Sequence, residues 1–331
     1  MSTSLKKVLE ALSPSLLVGL VVTGAFFAFV AWDQSHWWQL KEDYSFGWLV
    51  PVFVAFVVYD RWARITEAAR ACAADGSARA VGFGAMLLKL AVWASIVGGA
   101  GMFLLGALYR AGAGTSQPST LALTIGAIGL GAGAIFLNAP SAASVTPVSF
   151  WRDARLQLLA WFTFPLLVWL ISAPMVSVVE RELNLFLLRK VVAVVSFVFE
   201  TLGLPIEQRG NVLLLPSGSV GVEDACSGIR SLTACLFAGS FLAAVFLEKW
   251  WKKILLVGSA MLLAFITNLG RGLFLTSWAY RNGADSIGGT VHDVAGYAVL
   301  GVTVLGLLCL LPLMNLGSEP EPAASAETKR E

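Results

Sequence analysis

Three short segments of the chain carry side chains that together could perform acyl transfer. The first is Glu223-Asp224-Ala225-Cys226-Ser227-Gly228-Ile229-Arg230, which joins a polar stretch to a long apolar run. A cation and a helix start both favour the thiolate, so this setting makes Cys226 a candidate nucleophile. Asp224 is the predicted N-cap of the helix, and Arg230, four residues after Cys226, is predicted to share its face.

The second segment is Asn268-Leu269-Gly270-Arg271, and the third is His292-Asp293. Arg271 presents five N–H donors in a fixed fork, which suits a developing oxyanion or a carboxylate, and Asn268 shares its helix face. An imidazole can pass a proton to and from a thiol and a leaving amine. The predicted catalytic residues are therefore Cys226, Arg271 and His292, with Arg230, Asn268 and Asp224 in support.

The elements that must position these residues are membrane helices. The 331-residue chain is 57% hydrophobic and only 13% charged, against about 25% for soluble domains, and its mean hydropathy is +0.76. This composition predicts an all-α fold, a polytopic integral membrane helical bundle. About eight apolar stretches approach the length of a transmembrane helix, namely 16–32, 47–59, 81–108, 121–137, 156–171, 226–247, 254–278 and 291–314.

Charge and composition divide the chain further. Residues 1–316 are predicted to form a single multi-span membrane domain, and the polar residues 317–331 a disordered cytoplasmic tail. Basic residues are concentrated in alternate loops, so the positive-inside rule places those loops in the cytoplasm and all three polar segments at the opposite face. The outward segment 173–225 is predicted to hold an amphipathic interfacial helix, or a short ninth span at 191–202, followed by turns and a strand at Val212–Leu215.

The three polar segments, in this order, resemble those of the exosortase/archaeosortase family of membrane transpeptidases. An earlier segment, Asp43-Tyr44-Ser45-Phe46-Gly47-Trp48-Leu49-Val50-Pro51, resembles a further family motif, in which the family often has His where this chain has Phe46. The resemblance implies a multi-pass enzyme of the bacterial cytoplasmic (inner) membrane. Its substrates would be exported proteins with a C-terminal sorting signal, composed of a Pro-Glu-Pro-type motif, a transmembrane helix and a basic cluster.

The resemblance also implies roles for the three residues. Cys226 would attack the peptide bond near the motif and form a thioester, which a second nucleophile then resolves. His292 would be the general acid and base, and Arg271 would stabilise the oxyanion. A metal site built from Cys226, Asp224 and His292 would lack a fourth ligand and the usual spacing, so no metal or other cofactor is expected. No nucleic-acid partner is expected either.

Two other functions fit the same residues. The chain could be a transporter or channel for a lipid-linked or polysaccharide precursor, with Arg230 and Arg271 binding an anion. It could also be a non-catalytic envelope assembly protein. Each residue has a structural alternative: Arg271 as an arginine that snorkels from a helix end, Arg230 as a partner of Glu223 or Asp224, and His292 as a helix cap.

Overall fold

The computed structural model describes residues 12–221 and 228–315, and these form a polytopic bundle of helices. Seven helical segments are long and apolar enough to cross a membrane, and a bent pair forms an eighth, which confirms the predicted all-α bundle of about eight spans. The helices are α1 (Pro14–Leu40), α2 (Val50–Asp60), α3 (Trp62–Ala73), α4 (Gly82–Ala113), α5 (Gln117–Leu137), α6 (Ala154–Trp161), α7 (Thr163–Ser172), α8 (Ser177–Thr201), α9 (Ile229–Phe246), α10 (Trp250–Asn282) and α11 (Thr290–Asn315). Short 3-10 helices lie at Glu42–Leu49, Phe150–Arg152 and Ala284–Ile287.

Glycines bring α4 and α5 into close contact. A methyl group added at Gly99 would lie 2.9 Å from the backbone nitrogen of Leu130, and one added at Gly126 would lie 2.5 Å from that of Phe103. Backbones approach this closely only where side chains are absent, and such small-residue contacts drive helix association in lipid. The glycine-rich stretch of α5 therefore serves helix packing.

The predicted span at 156–171 is broken. Helices α6 and α7 meet at Phe162 with a bend of 42°. The side chain of Asp153 caps α6 by accepting a hydrogen bond from the amide of Arg155. It also accepts a hydrogen bond from the amide of Ala80 in strand β1 (Ser77–Ala80). Burial acts to raise the pKa of Asp153, but these amides and the Arg155 guanidinium together hold that pKa below its usual value.

Ion pairs between elements fall into two groups at opposite ends of the bundle. At one end, Arg64 pairs with Glu248 (2.6 Å), and Arg79 and Arg155 lie near Asp153. At the other, the ion pairs are Lys41–Glu180, Arg110–Asp33 and Arg230–Glu42. Arg64, Arg79 and Arg155 belong to the segments between spans in which basic residues are concentrated. We therefore call the first end the basic end and the second the site end.

Two small sheets accompany the helices. Strand β1 pairs in parallel with β2 (Val145–Val148), a pairing that the sequence did not predict. Beyond α8, strands β3 (Glu207–Arg209), β4 (Val212–Leu215) and β5 (Gly218–Gly221) form an antiparallel sheet in the order β3-β4-β5. The predicted strand Val212–Leu215 is thus present, and it is the centre of a three-stranded sheet.

Helix α8 and this sheet together cover the site end of α10. The helix is continuous over 25 residues, and it is less apolar than the helices in the described part of the chain that could span a membrane. One face of α8 packs on the inner face of the sheet and on α10. The buried residues of this cluster are Leu188, Val191, Val192, Val195, Phe199, Leu213, Leu215, Val220, Leu275 and Ala279.

Candidate functional site

Arg271 and His292 are hydrogen-bonded to each other. The Nη2 atom of Arg271 lies 2.9 Å from Nε2 of His292, and this contact joins α10 to the first turn of α11. Both side chains are partly buried. Two segments that stand 21 residues apart in the sequence therefore meet, as predicted.

The contact determines where the imidazole carries its proton. A guanidinium can only donate, so Nε2 of His292 accepts and the ring proton lies on Nδ1. The Nδ1 atom is 3.5 Å from Oδ1 of Asp293, which is exposed. In this arrangement Arg271 donates to the lone pair of Nε2.

Asn268 brings the third segment to the same place. It is 3% exposed, and a methyl group added at Gly228 would lie 2.8 Å from its Nδ2 atom. Gly228 has φ +64°, a conformation that glycine adopts without strain, and it is the N-cap of α9. The Oδ1 atom of Asn268 has no hydrogen-bond partner among the residues that the structure describes.

A cavity of about 230 Å³ is enclosed by the ends of these three helices. Helix α9 contributes its first two turns, α10 contributes Arg271, and α11 contributes the face that begins at His292. Gly296, four residues after His292, faces the guanidinium, since a methyl group added there would lie 3.7 Å from Nη2, at ordinary contact distance. The lining residues are Gly228, Arg230, Ser231, Ala234, Arg271, His292, Asp293, Gly296, Tyr297, Val299 and Leu300.

Arg230 lines this cavity, and its partners are two carboxylates that do not line it. Its guanidinium pairs with the carboxylates of Glu42 and Asp43, and its Nε lies 3.4 Å from Oδ1 of Asp43. Thr233, one turn of α9 further on, donates a hydrogen bond to the backbone carbonyl of Asp43 (3.1 Å). Among the described residues, the acidic partners of Arg230 are therefore Glu42 and Asp43, two residues that the sequence did not single out for this purpose.

The 3-10 helix Glu42–Leu49 fixes these carboxylates in place. Tyr44 is fully buried, and its hydroxyl accepts a hydrogen bond from the amide of Met175. Phe46 stacks on Phe237 of α9, with ring centroids 5.2 Å apart. The segment 43–51 thus docks the site end of α9, and Phe46 contributes an apolar contact to that packing.

Cys226 and Asp224 lie outside the described residues. Helix α9 begins at Ile229, and its N-cap is Gly228. Because Asp224 and Cys226 are not among the described residues, the predictions that Asp224 is a helix N-cap and that Cys226 shares a helical face with Arg230 stay predictions.

An apolar groove of about 560 Å³ adjoins the cavity on the surface of α10 and α11. Arg271 lines both, so the groove leads directly to the guanidinium. Its base includes Gly270 and Ala298, and its rim includes Phe274 and Trp278, which are 48% and 39% exposed.

The chain matches a known protein family over residues 37–309, a range that includes every residue of the site described above. The model that matches is that of the transmembrane exosortases. The chain belongs to the transmembrane exosortase family. No curated protein and no solved structure matches it.

Membership of the exosortase family supports a general role in membrane transpeptidation and protein sorting. An exosortase is a membrane-embedded enzyme that acts on exported proteins, and the multiple apolar helices of this chain agree with a multi-pass membrane location. The family match confirms the resemblance inferred from the three sequence segments.

Proposed function

We propose that this exosortase is a cysteine transpeptidase that cleaves a C-terminal sorting signal of exported proteins, with Cys226, Arg271 and His292 as its catalytic residues. The observation that carries the proposal is the hydrogen bond between Arg271 and His292 in a cavity that the N-terminus of α9 also lines. Gly228 lines that cavity, and two residues of extended chain span at most about 7 Å. This short connection supports the proposal that Cys226 acts together with the pair.

The proposed reaction moves one proton at a time. His292 Nε2 takes the proton of the Cys226 thiol, and the sulfur attacks the scissile carbonyl carbon. Arg271 releases Nε2 before this proton transfer and turns its donors to the carbonyl oxygen that becomes the oxyanion, so the lone pair of His292 is available to take the thiol proton. The intermediate collapses to a thioester as the imidazolium gives its proton to the leaving amine. His292 then deprotonates the acceptor nucleophile, which attacks the thioester and releases Cys226 as the thiol.

Asn268 and the apolar groove would position the substrate. The buried Oδ1 of Asn268 is an acceptor available to an N–H group of the bound peptide. The groove on α10 and α11 begins at Arg271 and is open toward the lipid, so it suits the apolar segment that follows the scissile bond. The polar part of the signal would then lie in the cavity and its helical part along the groove.

The same geometry supports the proposed orientation. The cavity lies at the site end, opposite the cluster of basic residues, which by the positive-inside rule favours the extracytoplasmic face of the bacterial inner membrane. That is where an exported protein with a membrane-anchored C-terminus presents its cleavage point. A Pro-Glu-Pro-type motif is the expected recognition element.

The thioester gives the most direct test of this function. A reporter with a C-terminal Pro-Glu-Pro motif, transmembrane helix and basic cluster is co-expressed with the enzyme, and the complex is resolved without reducing agent. A covalent adduct that neutral hydroxylamine releases is expected, because hydroxylamine cleaves thioesters but not peptide bonds. Processing that leaves no hydroxylamine-sensitive species, even after rapid acid quench, would contradict the covalent mechanism.

Arg230 is expected to act as a positioning residue. Its side chain is 60% exposed and already pairs with two carboxylates, so Arg230→Gln should change the free energy of unfolding by no more than about 1 kcal/mol. Because the Arg230 side chain only holds the start of α9 against Glu42 and Asp43, Arg230→Gln should reduce kcat by about tenfold or less.

The double variant Glu42→Gln/Asp43→Asn is the matched comparison for Arg230→Gln. It keeps the guanidinium and removes its partners, so it should reproduce the loss in kcat of Arg230→Gln if positioning is the role. A loss of more than about a thousandfold in Arg230→Gln, with the carboxylate variant fully active, would assign Arg230 to the chemistry instead.

A further inference from the structure

A second large cavity lies at the basic end of the bundle, remote from the Arg271–His292 pair. Its volume is about 790 Å³. Helix α9 packs against both α7 and α10, and its small residues Ser240, Ala243 and Ala244 line the cavity between them. The cavity is therefore a groove whose base is formed by α9 and whose walls are formed by α7 and α10.

The α7 wall of this groove is apolar over about two helical turns. Phe164, Leu167, Val168 and Ile171 of α7 all line it, and their spacing places them on one helix face. From the first to the last of these residues the helix rises about 10 Å. An extended hydrocarbon chain is the kind of ligand that such a slot accommodates.

The mouth of the groove is cationic. Arg61 is 7% exposed, and its guanidinium donates to the backbone carbonyls of Ala244 and Trp161. Lys253 lies over the ring of Trp250, 5.3 Å from its centroid. Neither cation forms an ion pair with a carboxylate in the part of the chain that the structure describes.

The glutamates near the mouth lie beside a third cation. Glu248 lines the groove and pairs with Arg64 at 2.6 Å. Arg64, Glu67 and Glu248 line an adjoining polar cavity of about 540 Å³, which shares Gln157, Trp161 and Glu248 with the groove. This cavity provides space for a polar headgroup beside the two cations.

Exposed tryptophans mark the level of the membrane interface at this point. Trp250 and Trp251 are 56% and 59% exposed at the start of α10. Tryptophans are enriched where lipid headgroups begin, and basic pockets between transmembrane helices on the cytoplasmic side bind anionic headgroups. The mouth of the groove therefore lies where a phosphate would be, and its slot where an acyl chain would be.

We propose that this groove is a binding site for an anionic phospholipid, with the phosphate between Arg61 and Lys253 and one acyl chain along α7. Charge complementarity selects this occupant, because among the described residues neither cation at the mouth forms an ion pair with a carboxylate, and a zwitterionic lipid would bring a third cation. The site is separate from the catalytic cavity and does not depend on the proposed reaction.

Lipid binding to the purified full-length protein tests the proposal. Native mass spectrometry would measure the affinities for phosphatidylglycerol and phosphatidylcholine with identical acyl chains. Phosphatidylglycerol should bind at least about fivefold more tightly, and Lys253→Gln should remove about fivefold of its affinity while sparing phosphatidylcholine. Lys253 is preferred to Arg61 for this test, because the Arg61 guanidinium also holds two backbone carbonyls.

A larger side chain in the groove tests whether an acyl chain lies along α7. A methyl group added at Gly258, which lines the groove, meets no atom within 4 Å, so Gly258→Leu should fold and weaken binding of phosphatidylglycerol at least fivefold. The matched controls are Gly101→Leu, at an equally open helical glycine of α4, and Arg152→Gln, at an exposed basic residue outside the groove. Both should bind lipid like the unmodified protein.

Three results would overturn the proposal. Equal affinity for phosphatidylglycerol and phosphatidylcholine would mean that the bound lipid belongs to the non-specific lipid annulus. Unchanged phosphatidylglycerol binding in Lys253→Gln and Gly258→Leu would place the lipid elsewhere. Complete competition by glycerol phosphate, with Gly258→Leu unaffected, would identify a site for free phosphate.

Discussion

Replacement of Cys226 by alanine is expected to abolish processing of a sorting-signal reporter, with a loss of at least about 10⁴-fold. In enzymes that use a covalent nucleophile, removal of that one group costs nearly as much as removal of the whole catalytic set. Single-turnover cleavage in reconstituted vesicles would measure the loss. Cys226→Ser should be similarly inactive, because a hydroxyl is far harder to deprotonate than a thiol.

The other cysteines provide the matched control for this substitution. Cys72 and Cys235 are fully buried, and Cys309 lies within α11. Burial raises the pKa of the Cys72 thiol, which makes it a poor nucleophile. A protein that keeps only Cys226 should remain active. Full activity in Cys226→Ala, in a protein that elutes as a folded species, would reject the cysteine mechanism.

The sequence predicted which helices meet at the site, because polar residues near the ends of membrane helices are costly unless they contact other polar groups. Asn268, Arg271 and His292 each stand near the end of an apolar run, and membrane helices keep such residues only where they have partners. The structure brings Arg271 to His292 and Asn268 to Gly228. The chemical role of these residues remains a prediction.

Features that depend on contacts between distant segments could not be predicted from local patterns. The pairing of Arg230 with Glu42 and Asp43 joins residues that are about 190 positions apart. The sequence offered Glu223 and Asp224 as nearer partners, and nothing in the local spacing distinguished the two possibilities. The buried position of Tyr44 is similar, since it depends on the amide of Met175.

The backbone conformation at the start of α9 depends on a distant contact as well. In the described part of the chain, α9 begins at Ile229 and its N-cap is Gly228. A glycine can be an N-cap or an interior residue, and Gly228 takes a left-handed conformation against Asn268. Only the neighbouring helix determines which of the two occurs.

The position of the charges bears on the transporter alternative. Transporters place substrate-binding charges near the middle of the membrane, between inverted repeats. In the described residues of this exosortase, the ion pairs between elements lie at the two ends of the bundle. The Arg271–His292 pair belongs to the site end, which suits a reaction at the membrane surface better than passage through it.

Replacement of Arg271 by glutamine is expected to reduce kcat by about 10²–10³-fold while leaving KM within about threefold. Loss of a single oxyanion donor has an effect of this size, and it appears in kcat because the interaction strengthens only as charge develops on the carbonyl oxygen. Arg271→Lys should recover only part of the loss, since an ammonium keeps the charge but lacks the planar fork that can donate to His292 and the oxyanion in turn. Multiple-turnover cleavage in vesicles would give both constants.

The control for Arg271 lies on the same helix. Arg281 is an exposed cation near the end of α10 and does not line the cavity beside Arg271 and His292, so Arg281→Gln should leave kcat and KM unchanged. A purely structural arginine would instead lower thermal stability and the yield of folded protein, with normal kcat in the fraction that folds. If Arg271→Gln is folded and keeps more than about a tenth of kcat, Arg271 does not stabilise the oxyanion. Its hydrogen bond would then serve only to fix the start of α11 to α10.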